Sequence, residues 1–159
     1  MNDYTLYILM RNDLPSMSTG RAMAQASHAS NAFIHSVSKN KPKSVKGWQE
    51  QTTQGFGTAI VLAANLHTIS AVFSDIQDFK NLRGIYHNEL FLDWVVDPEY
   101  GFRTNTEIYK LIHPNLIQES KTIVDGNNVT VFKQEYTCGY VFGSKELLRP
   151  FLGALPLHP

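Results

Sequence analysis

The sequence contains a single cysteine, Cys138, among its 159 residues. One cysteine cannot form an internal disulfide, so the sequence is typical of a protein from a reducing compartment. The chain also lacks a charge excess, because 14 Lys and Arg residues are balanced by 14 Asp and Glu residues. This balance argues against a protein that holds nucleic acid through overall positive charge, although it leaves a local basic patch open.

The sequence has no long apolar run. The segment between Glu50 and Asp75 carries no formal charge, but polar residues interrupt it well before the about 20 apolar residues that a membrane-spanning helix needs. The first residues, MNDYTLYILMRND, lack the basic start and small-residue cleavage site of a signal peptide. We therefore expect a cytoplasmic protein that does not associate with membranes.

Two kinds of catalytic centre have no sequence signal. The chain has no Gly-x-Ser-x-Gly element, and Cys138 lies in an apolar segment, so we predict no covalent nucleophile. Among the histidines only His28 and His35 have helical spacing, and no carboxylate accompanies them on that face. We therefore predict no metal ion and no other cofactor.

Alternating strand and helix signals predict an α/β fold. Apolar runs rich in β-forming residues predict four strands, over Tyr4–Met10, Thr58–Ala64, Leu90–Val96 and Tyr136–Phe142. The third strand is expected to end at Asp97-Pro98. Between the last two strands, Asp-Gly-Asn-Asn predicts the turn of a hairpin over Ile123–Phe132.

Capping residues and apolar spacing predict the helices. Three helices are expected to begin at Ser18 or Thr19, after Asn65 and near Ser144, and Trp48 is expected to lie on a short second helix. The predicted fold is a three-layer sandwich, with a mixed, mostly parallel four-stranded sheet, helices on both faces and a β-hairpin inserted before the last strand. We expect a single domain over residues 1–159, with an insertion at about 105–135 that serves as a substrate lid, a dimer arm or a surface elaboration.

A polar stripe runs along the first predicted helix, whose sequence is TGRAMAQASHASNAF. Arg21, Gln25 and His28 are three and four residues apart, so they share one face of the helix. The small residues beside them would let the helix pack closely on a sheet. The stripe would then lie near the carboxyl ends of the strands, where open α/β folds bind ligands. A solvated helix face explains the same spacing.

The segment LYILMRNDLPSMSTGRAMAQASHASNAF resembles the N-terminal signature of the archaeal and eukaryotic, second class of peptidyl-tRNA hydrolases. In that family a strand ending in Arg-x-Asp-Leu leads through a Gly-Lys-Gly-Lys loop to a helix with Ala-Gln and Ser-His-Ala. The matching residues are Arg11, Asp13, Leu14, Gly20, Ala24, Gln25, Ser27, His28 and Ala29. Weaker similarities follow at Trp48, Gln54-Gly55, Asp97, Arg103-Thr104, Thr137 and the segment FLGALPL.

The resemblance implies hydrolysis of the ester between a peptide and the terminal ribose of tRNA. It implies catalytic roles for five residues: Arg21, His28, Asp97, Thr104 and Thr137. Asp97 would position or activate water, Arg21 with Thr104 or Thr137 would stabilise the oxyanion, and His28 would orient Asp97 or bind substrate. An Asp-Pro turn after a strand is the structural alternative for Asp97.

The substrate-binding residues expected are Thr19, Gln25, Lys41 and Lys43. Lys41 and Lys43 belong to a basic loop that is either an RNA contact or simply solvated. Thr19 and Arg21 stand where the family loop has lysines, and arginine keeps the positive charge but cannot deliver a proton.

Three functions therefore stay open. The chain is expected to be an aminoacyl- or peptidyl-tRNA ester hydrolase, with peptidyl-tRNA as its partner. Alternatively it is a non-catalytic tRNA- or protein-binding module of the same fold, or a hydrolase of a smaller ester or amide. The family resemblance also makes a homodimer an expectation.

Overall fold

The computed structural model of the protein describes residues 3–84, 88–105 and 121–159. Its five strands are β1 (Tyr4–Arg11), β2 (Ala59–Ala64), β3 (Phe91–Asn105), β4 (Lys121–Asp125) and β5 (Asn128–Ser144). Its helices are α1 (Thr19–Ser36), α2 (Lys43–Gln49), α3 (Leu66–Arg83) and α4 (Lys145–Leu152). The fold is α/β, as the sequence predicts.

The predicted helix boundaries are confirmed by capping contacts. The Ser18 hydroxyl accepts a hydrogen bond from the Arg21 backbone N–H at 3.3 Å, and the Asn65 side chain accepts one from Thr68 at 2.8 Å. Ser144 caps α4 in the same way, and Gly84 ends α3 with a left-handed φ of 63°. Polar side chains therefore satisfy orphan backbone donors at three helix starts.

The main sheet has the strand order β2-β1-β5-β3. Only β1 and β2 pair in parallel, whereas β5 is antiparallel to β1, β3 and β4. Four of the five strands therefore point in one direction and β5 points in the other. The sheet is therefore mixed. The parallel strands β1 and β2 are adjacent, whereas the reversed strand β5 separates β1 from β3.

Helices cover both faces of this sheet. Alternate residues of β1 point to opposite sides, as a strand requires. Leu6, Ile8 and Met10 pack with α1 and α2 in one apolar core, which contains the stacked rings of Phe33 and Phe142. Tyr7 and Leu9 lie in a second core with α3 and α4. These two cores produce the predicted helix–sheet–helix arrangement.

The prediction that the third strand ends at Asp97-Pro98 is wrong, because β3 continues past these residues. Pro98 has no N–H to donate to the ladder, and the register shifts between Asp97 and Tyr100. Pairing with β5 then resumes and continues to Asn105. An irregularity within a longer strand therefore replaces the expected terminus.

The predicted hairpin is present, but its second strand and the last strand are one continuous element, β5. Gly126 occupies the turn between β4 and β5 with a φ of 59°. Beyond the main sheet, the outer parts of β3 and β5 pair with each other, and β4 adds to the other side of β5. We call this extension the arm and define it as residues 100–105, 121–125 and 128–133. The rest of the expected insertion, residues 106–120, lies outside the described residues.

Within the described ranges, no helix combines the length and the apolar character needed to cross a membrane.

Candidate active site

A chain of side-chain hydrogen bonds connects α1 with β5 and β3. The Thr137 hydroxyl donates to Gln25 Oε1 at 2.7 Å, and Gln25 Nε2 donates to Asp97 Oδ2 at 2.7 Å. Thr137 and Gln25 are buried. Because a carboxylate only accepts hydrogen bonds, the Gln25 amide nitrogen must face Asp97 and its oxygen must face Thr137. Gln25 therefore holds the Asp97 carboxylate in one orientation.

The local backbone also orients Asp97. Its second oxygen, Oδ1, accepts a hydrogen bond from the Glu99 backbone N–H at 2.9 Å. This hydrogen bond spans Pro98, at the register irregularity of β3. Such irregularities redirect side chains and are common beside active sites. Each carboxylate oxygen has further lone-pair capacity, so a water molecule could still bind to Asp97.

The Asp97 group lies just beyond the carboxyl end of β1. Met10 of β1, Cys138 of β5 and Val95 of β3 lie at one level of the sheet. Asp97 and Thr137 come immediately past that level, where the chain leaves β1 toward α1. The sequence prediction of a polar site at this edge is therefore consistent with the observed placement of Gln25, Asp97 and Thr137.

Arg21 also reaches β3 from the first turns of α1. Its guanidinium donates to the Gly101 carbonyl and lies over the Tyr100 ring, 5.5 Å from the ring centroid. Burial raises the pKa of the Tyr100 phenol, and the nearby Arg21 charge partly opposes that increase. Arg21 lines an open cavity of about 500 Å³, together with Leu14, Ser16, Met17, Ser18 and Arg103. A cationic cavity therefore adjoins the strand that carries Asp97.

An ion-pair network supports the same edge of the sheet. Arg11 is 7% exposed, and its Nε and second terminal nitrogen each donate to one oxygen of Asp13 at 2.9 Å. Its other terminal nitrogen donates to Glu135 Oε1 and to the Tyr136 carbonyl, both at 3.0 Å. Arg11 thus ties the end of β1 to the β5 segment that carries Thr137.

These contacts shift the pKa values of Arg11 and Asp13. The Arg11 hydrogen bonds, opposed by burial, hold the pKa of the Asp13 carboxyl below its ordinary value. Burial by itself would lower the pKa of Arg11, but the hydrogen bonds and charges of Asp13 and Glu135 outweigh it and the pKa is raised. Arg11 and Asp13 therefore stay charged across the physiological pH range.

The structure separates Thr104 from this group. Asp97 pairs with Glu135, whereas Thr104 pairs with Val129, six residues further along β5. At about 3.3 Å per residue, Thr104 lies about 20 Å away. It is therefore not an oxyanion donor beside Asp97.

His28 and Thr19 lie on α1 but not in the hydrogen-bond chain. Both side chains are exposed, and within the described part of the protein no hydrogen bond joins either one to another residue. Gln25 is the α1 residue that contacts Asp97, whereas the family resemblance implied that His28 would orient Asp97 or bind substrate. The stripe of Arg21, Gln25 and His28 thus divides into two residues that contact the sheet and one that faces solvent.

Lys41 and Lys43 lie at the other end of α1. The 18 residues of α1 span about 27 Å, and both lysines follow its last turn. Lys41 Nζ donates to Gln49 Oε1 at 2.8 Å, and the side chains of Lys41 and Lys43 are exposed. The structure therefore does not place this basic loop beside Asp97.

Sequence reasoning included Arg11 and Asp13 only as motif residues and missed Glu135. A charged residue that ends a mostly apolar strand is an available signal, because a buried guanidinium needs acidic partners. Which acidic residues act as partners of Arg11 depends on β5 lying next to β1. No local sequence pattern predicts that pairing.

Cys138 lies beside the hydrogen-bond chain but differs from it chemically. It is fully buried, and its thiol is 3.5 Å from the Gln25 carbonyl oxygen. Burial raises the pKa of the Cys138 thiol to about 12, despite an opposing contact from Thr137. The thiol is therefore neutral over the ordinary pH range.

Alkylation should test this assignment of Cys138. At pH 8 we expect the folded protein to react with iodoacetamide at least about 100-fold more slowly than the urea-unfolded protein, because the reactive thiolate is scarce and inaccessible. Mass spectrometry at timed intervals measures both rates. Similar rates would show that the thiol is accessible and ionised in the folded state.

No group of three His, Cys, Asp or Glu side chains within residues 3–84, 88–105 and 121–159 is arranged to hold a metal ion. The described features define a three-layer α/β protein with carboxylate, amide, hydroxyl and guanidinium groups at one edge of its sheet.

The family model described as peptidyl-tRNA hydrolase PTH2 matches residues 4–79, just under half of the chain. The match covers β1, α1, α2, β2 and most of α3, and it confirms the resemblance to this family. Arg21 and Gln25 lie within the matched residues, whereas Asp97, Thr137 and the arm lie outside them. No curated protein sequence matches the chain.

Proposed function

We propose that this protein hydrolyses the ester bond of peptidyl-tRNA. The observation that most supports this proposal is the Thr137–Gln25–Asp97 hydrogen-bond chain. It joins a residue of the family-matched helix to a carboxylate at the sheet edge. Asp97 is half-buried, and each of its carboxylate oxygens accepts one hydrogen bond, from Gln25 Nε2 or from the Glu99 N–H. This arrangement supports a carboxylate that positions a water molecule for attack.

The proposed reaction uses Asp97 as a proton carrier. The carboxylate accepts a proton as water attacks the ester carbonyl, and the resulting tetrahedral oxyanion carries negative charge. When the carbon–oxygen bond to the ribose breaks, Asp97 returns the proton to the leaving oxygen. Gln25 and Thr137 act as positioning residues, because they reach the reaction only through Asp97.

Arg21 has an electrostatic role in this proposal. A guanidinium remains protonated at any physiological pH, so Arg21 can hold an anionic group of the substrate but transfers no proton. Its contacts with Gly101 and Tyr100 fix its position beside the arm. His28, which faces solvent, is assigned no part in the proton transfer. Lys41 and Lys43 would contact phosphates remote from the reacting ester.

Turnover of a peptidyl-tRNA analogue tests the proposed function. Purified protein is incubated with the analogue, and release of free tRNA is followed on acidic gels beside a buffer control. We expect release in proportion to protein concentration. An absence of release, at concentrations where the analogue binds, would contradict the hydrolase assignment.

The same observations leave one further candidate, a tRNA-binding module without catalysis. Arginine replaces a family lysine at position 21, and within the described residues its guanidinium is already engaged with Gly101 and Tyr100. A fixed guanidinium is suited to binding an anion but not to transferring protons. The binding module is distinguished by retained tRNA affinity without ester cleavage.

Thr137→Val should reduce turnover through Gln25. Removing the hydroxyl leaves the buried Gln25 Oε1 without its donor and frees the amide to rotate away from Asp97. We expect kcat to fall by about tenfold with little change in KM, and stability to fall by about 1–2 kcal/mol. Steady-state kinetics and urea unfolding measure the two effects.

Thr5→Val provides a matched control for that variant. Thr5 is equally buried and lies on neighbouring β1, but it pairs with Gly143 near the opposite end of the sheet. Its kcat should equal that of the unaltered protein. Equal kcat values for both variants would exclude a positioning role for Thr137.

A further inference from the structure

The arm contributes a cation to the cavity beside α1. Arg103, on the outer part of β3, lines this cavity with Arg21, although the two residues are far apart in sequence. None of the six described residues that line it is acidic. Among the described residues, no carboxylate lies within ion-pair distance of either guanidinium.

Hydrogen bonds hold the arm against the loop before α1 and against the first turn of α1. The Ser16 hydroxyl accepts a hydrogen bond from the Arg103 N–H at 2.9 Å and lies 3.3 Å from the Arg103 carbonyl oxygen, to which it can donate. The Tyr100 hydroxyl donates to the Pro15 carbonyl at 3.2 Å, and Arg21 donates to Gly101. Ser16 adopts a left-handed φ of 64°, which is uncommon for a residue other than glycine.

These contacts set the position of Arg103 relative to Arg21. Two guanidinium groups that share a cavity repel each other unless an anion lies between them. Each guanidinium presents planar N–H donors that match the oxygens of a phosphate. A cavity lined by two arginines and by no described acidic residue is therefore suited to a phosphate between α1 and the arm, and the arginines rather than the helix end supply its charge.

We propose that Arg21 and Arg103 together bind one backbone phosphate of the RNA substrate. This proposal rests on the proposed function and deepens it, because it assigns the arm a substrate contact outside the family-matched residues 4–79. The chemical class of ligand is a phosphodiester, held beside the strand that carries Asp97. A free phosphate ion offers the same oxygens, and the test separates these two sources.

The dependence of tRNA affinity on salt tests the phosphate contact. Fluorescence anisotropy measures the Kd of the full-length protein for labelled, uncharged tRNA at several KCl concentrations. Each phosphate contact contributes about 0.7–0.9 to the slope of log K against log salt. Arg103→Ala should weaken binding by several-fold and reduce the slope by about one contact, whereas Arg103→Lys should keep most of the slope.

Arg149→Ala is the matched control. Arg149 is an exposed arginine on α4, which packs on the opposite face of the sheet, and its removal changes the net charge equally. We expect its slope and Kd to match those of the unaltered protein. Equal losses in the Arg103 and Arg149 variants would overturn the site in favour of a general charge effect.

Inorganic phosphate separates the two ligand sources. If the site binds RNA, phosphate at the concentration of tRNA nucleotides should not displace tRNA once ionic strength is held constant. Displacement by phosphate at that concentration would overturn the RNA assignment. An unchanged salt slope for Arg103→Ala in a protein that cleaves peptidyl-tRNA would overturn this inference alone. Salt-dependent tRNA binding through Arg103 without ester cleavage would overturn only the hydrolase.

Discussion

Asp97→Asn should reduce hydrolysis of peptidyl-tRNA by at least about 100-fold. Asparagine keeps the size of the side chain and an oxygen that can accept from Gln25, but it lacks the negative charge and cannot carry the water proton. Proton transfer by a positioned side chain contributes about 10²–10⁴-fold to rate, so most of that factor should disappear. Single-turnover assays with saturating protein measure the loss without a contribution from product release.

Asp93→Asn provides the control for this variant. Asp93 lies on the same strand, is exposed, and accepts a hydrogen bond only from the adjacent Trp94 N–H within the described residues. Its replacement should leave the rate unchanged. Thermal unfolding should confirm that both variants are folded. An Asp97→Asn protein that is folded and reacts within about threefold of the unaltered rate would refute the assigned proton carrier.

Arg11→Met should cause the largest loss of stability among the changes considered. Methionine fills much of the same volume, but it leaves Asp13 and Glu135 without the guanidinium that both contact. Breaking a buried ion pair by removing one partner costs about 3–5 kcal/mol. Because the Asp13 side chain is 37% exposed and the Glu135 side chain 16% exposed, water compensates part of that loss. We expect about 2–4 kcal/mol by equilibrium urea unfolding.

Lys145→Met is the control for Arg11→Met, because it removes an ion pair at the protein surface. Lys145 Nζ lies 3.9 Å from Asp3 Oδ1, and both side chains are largely exposed. Such pairs contribute about 0–1 kcal/mol, so this control should change the free energy of unfolding only slightly. If the two variants lose the same stability, the Arg11 network is no stronger than a surface pair.

The network also predicts how stability depends on pH. Hydrogen bonds from Arg11 hold the pKa of folded Asp13 below its ordinary value of 3.8. A depressed carboxyl pKa stabilises the folded state above the unfolded-state pKa, and that contribution is lost as pH falls through the folded-state pKa. The unaltered protein should therefore lose stability below about pH 4, and Arg11→Met should flatten that part of the curve.

Local signals were sufficient for the helices and for most strands. Ser18, Asn65 and Gly84 mark helix boundaries through chemistry contained in a few neighbouring residues, and each acts in the structure as predicted. Asp-Gly-Asn-Asn similarly predicts the turn between β4 and β5. The strand continuation past Pro98 was missed, because a proline interrupts local β-pairing while cross-strand partners on β5 restore it two residues later.

The sequence names four residues of the candidate site, and the structure shows which of them contact one another. These residues are Arg21, Gln25, Asp97 and Thr137. Gln25 is expected from the sequence to bind substrate, and its contact with Asp97 is visible only in the structure. His28 has the same helical spacing as Gln25, yet it faces solvent. A difference of three residues rotates a helical side chain by about 300°, and only packing against the sheet decides which one is buried.

The central position of β5 affects how the protein can fold during synthesis. This strand comes late in the sequence, but it lies between β1 and β3 and supplies Thr137. While β1, α1 and β2 emerge from the ribosome, the inner edge of β1 has no β5 partner. Pairing over such a long sequence separation is intrinsically slow and leaves an exposed strand edge in the meantime. We therefore expect the hydrogen-bond chain at Asp97 to be among the last features to form.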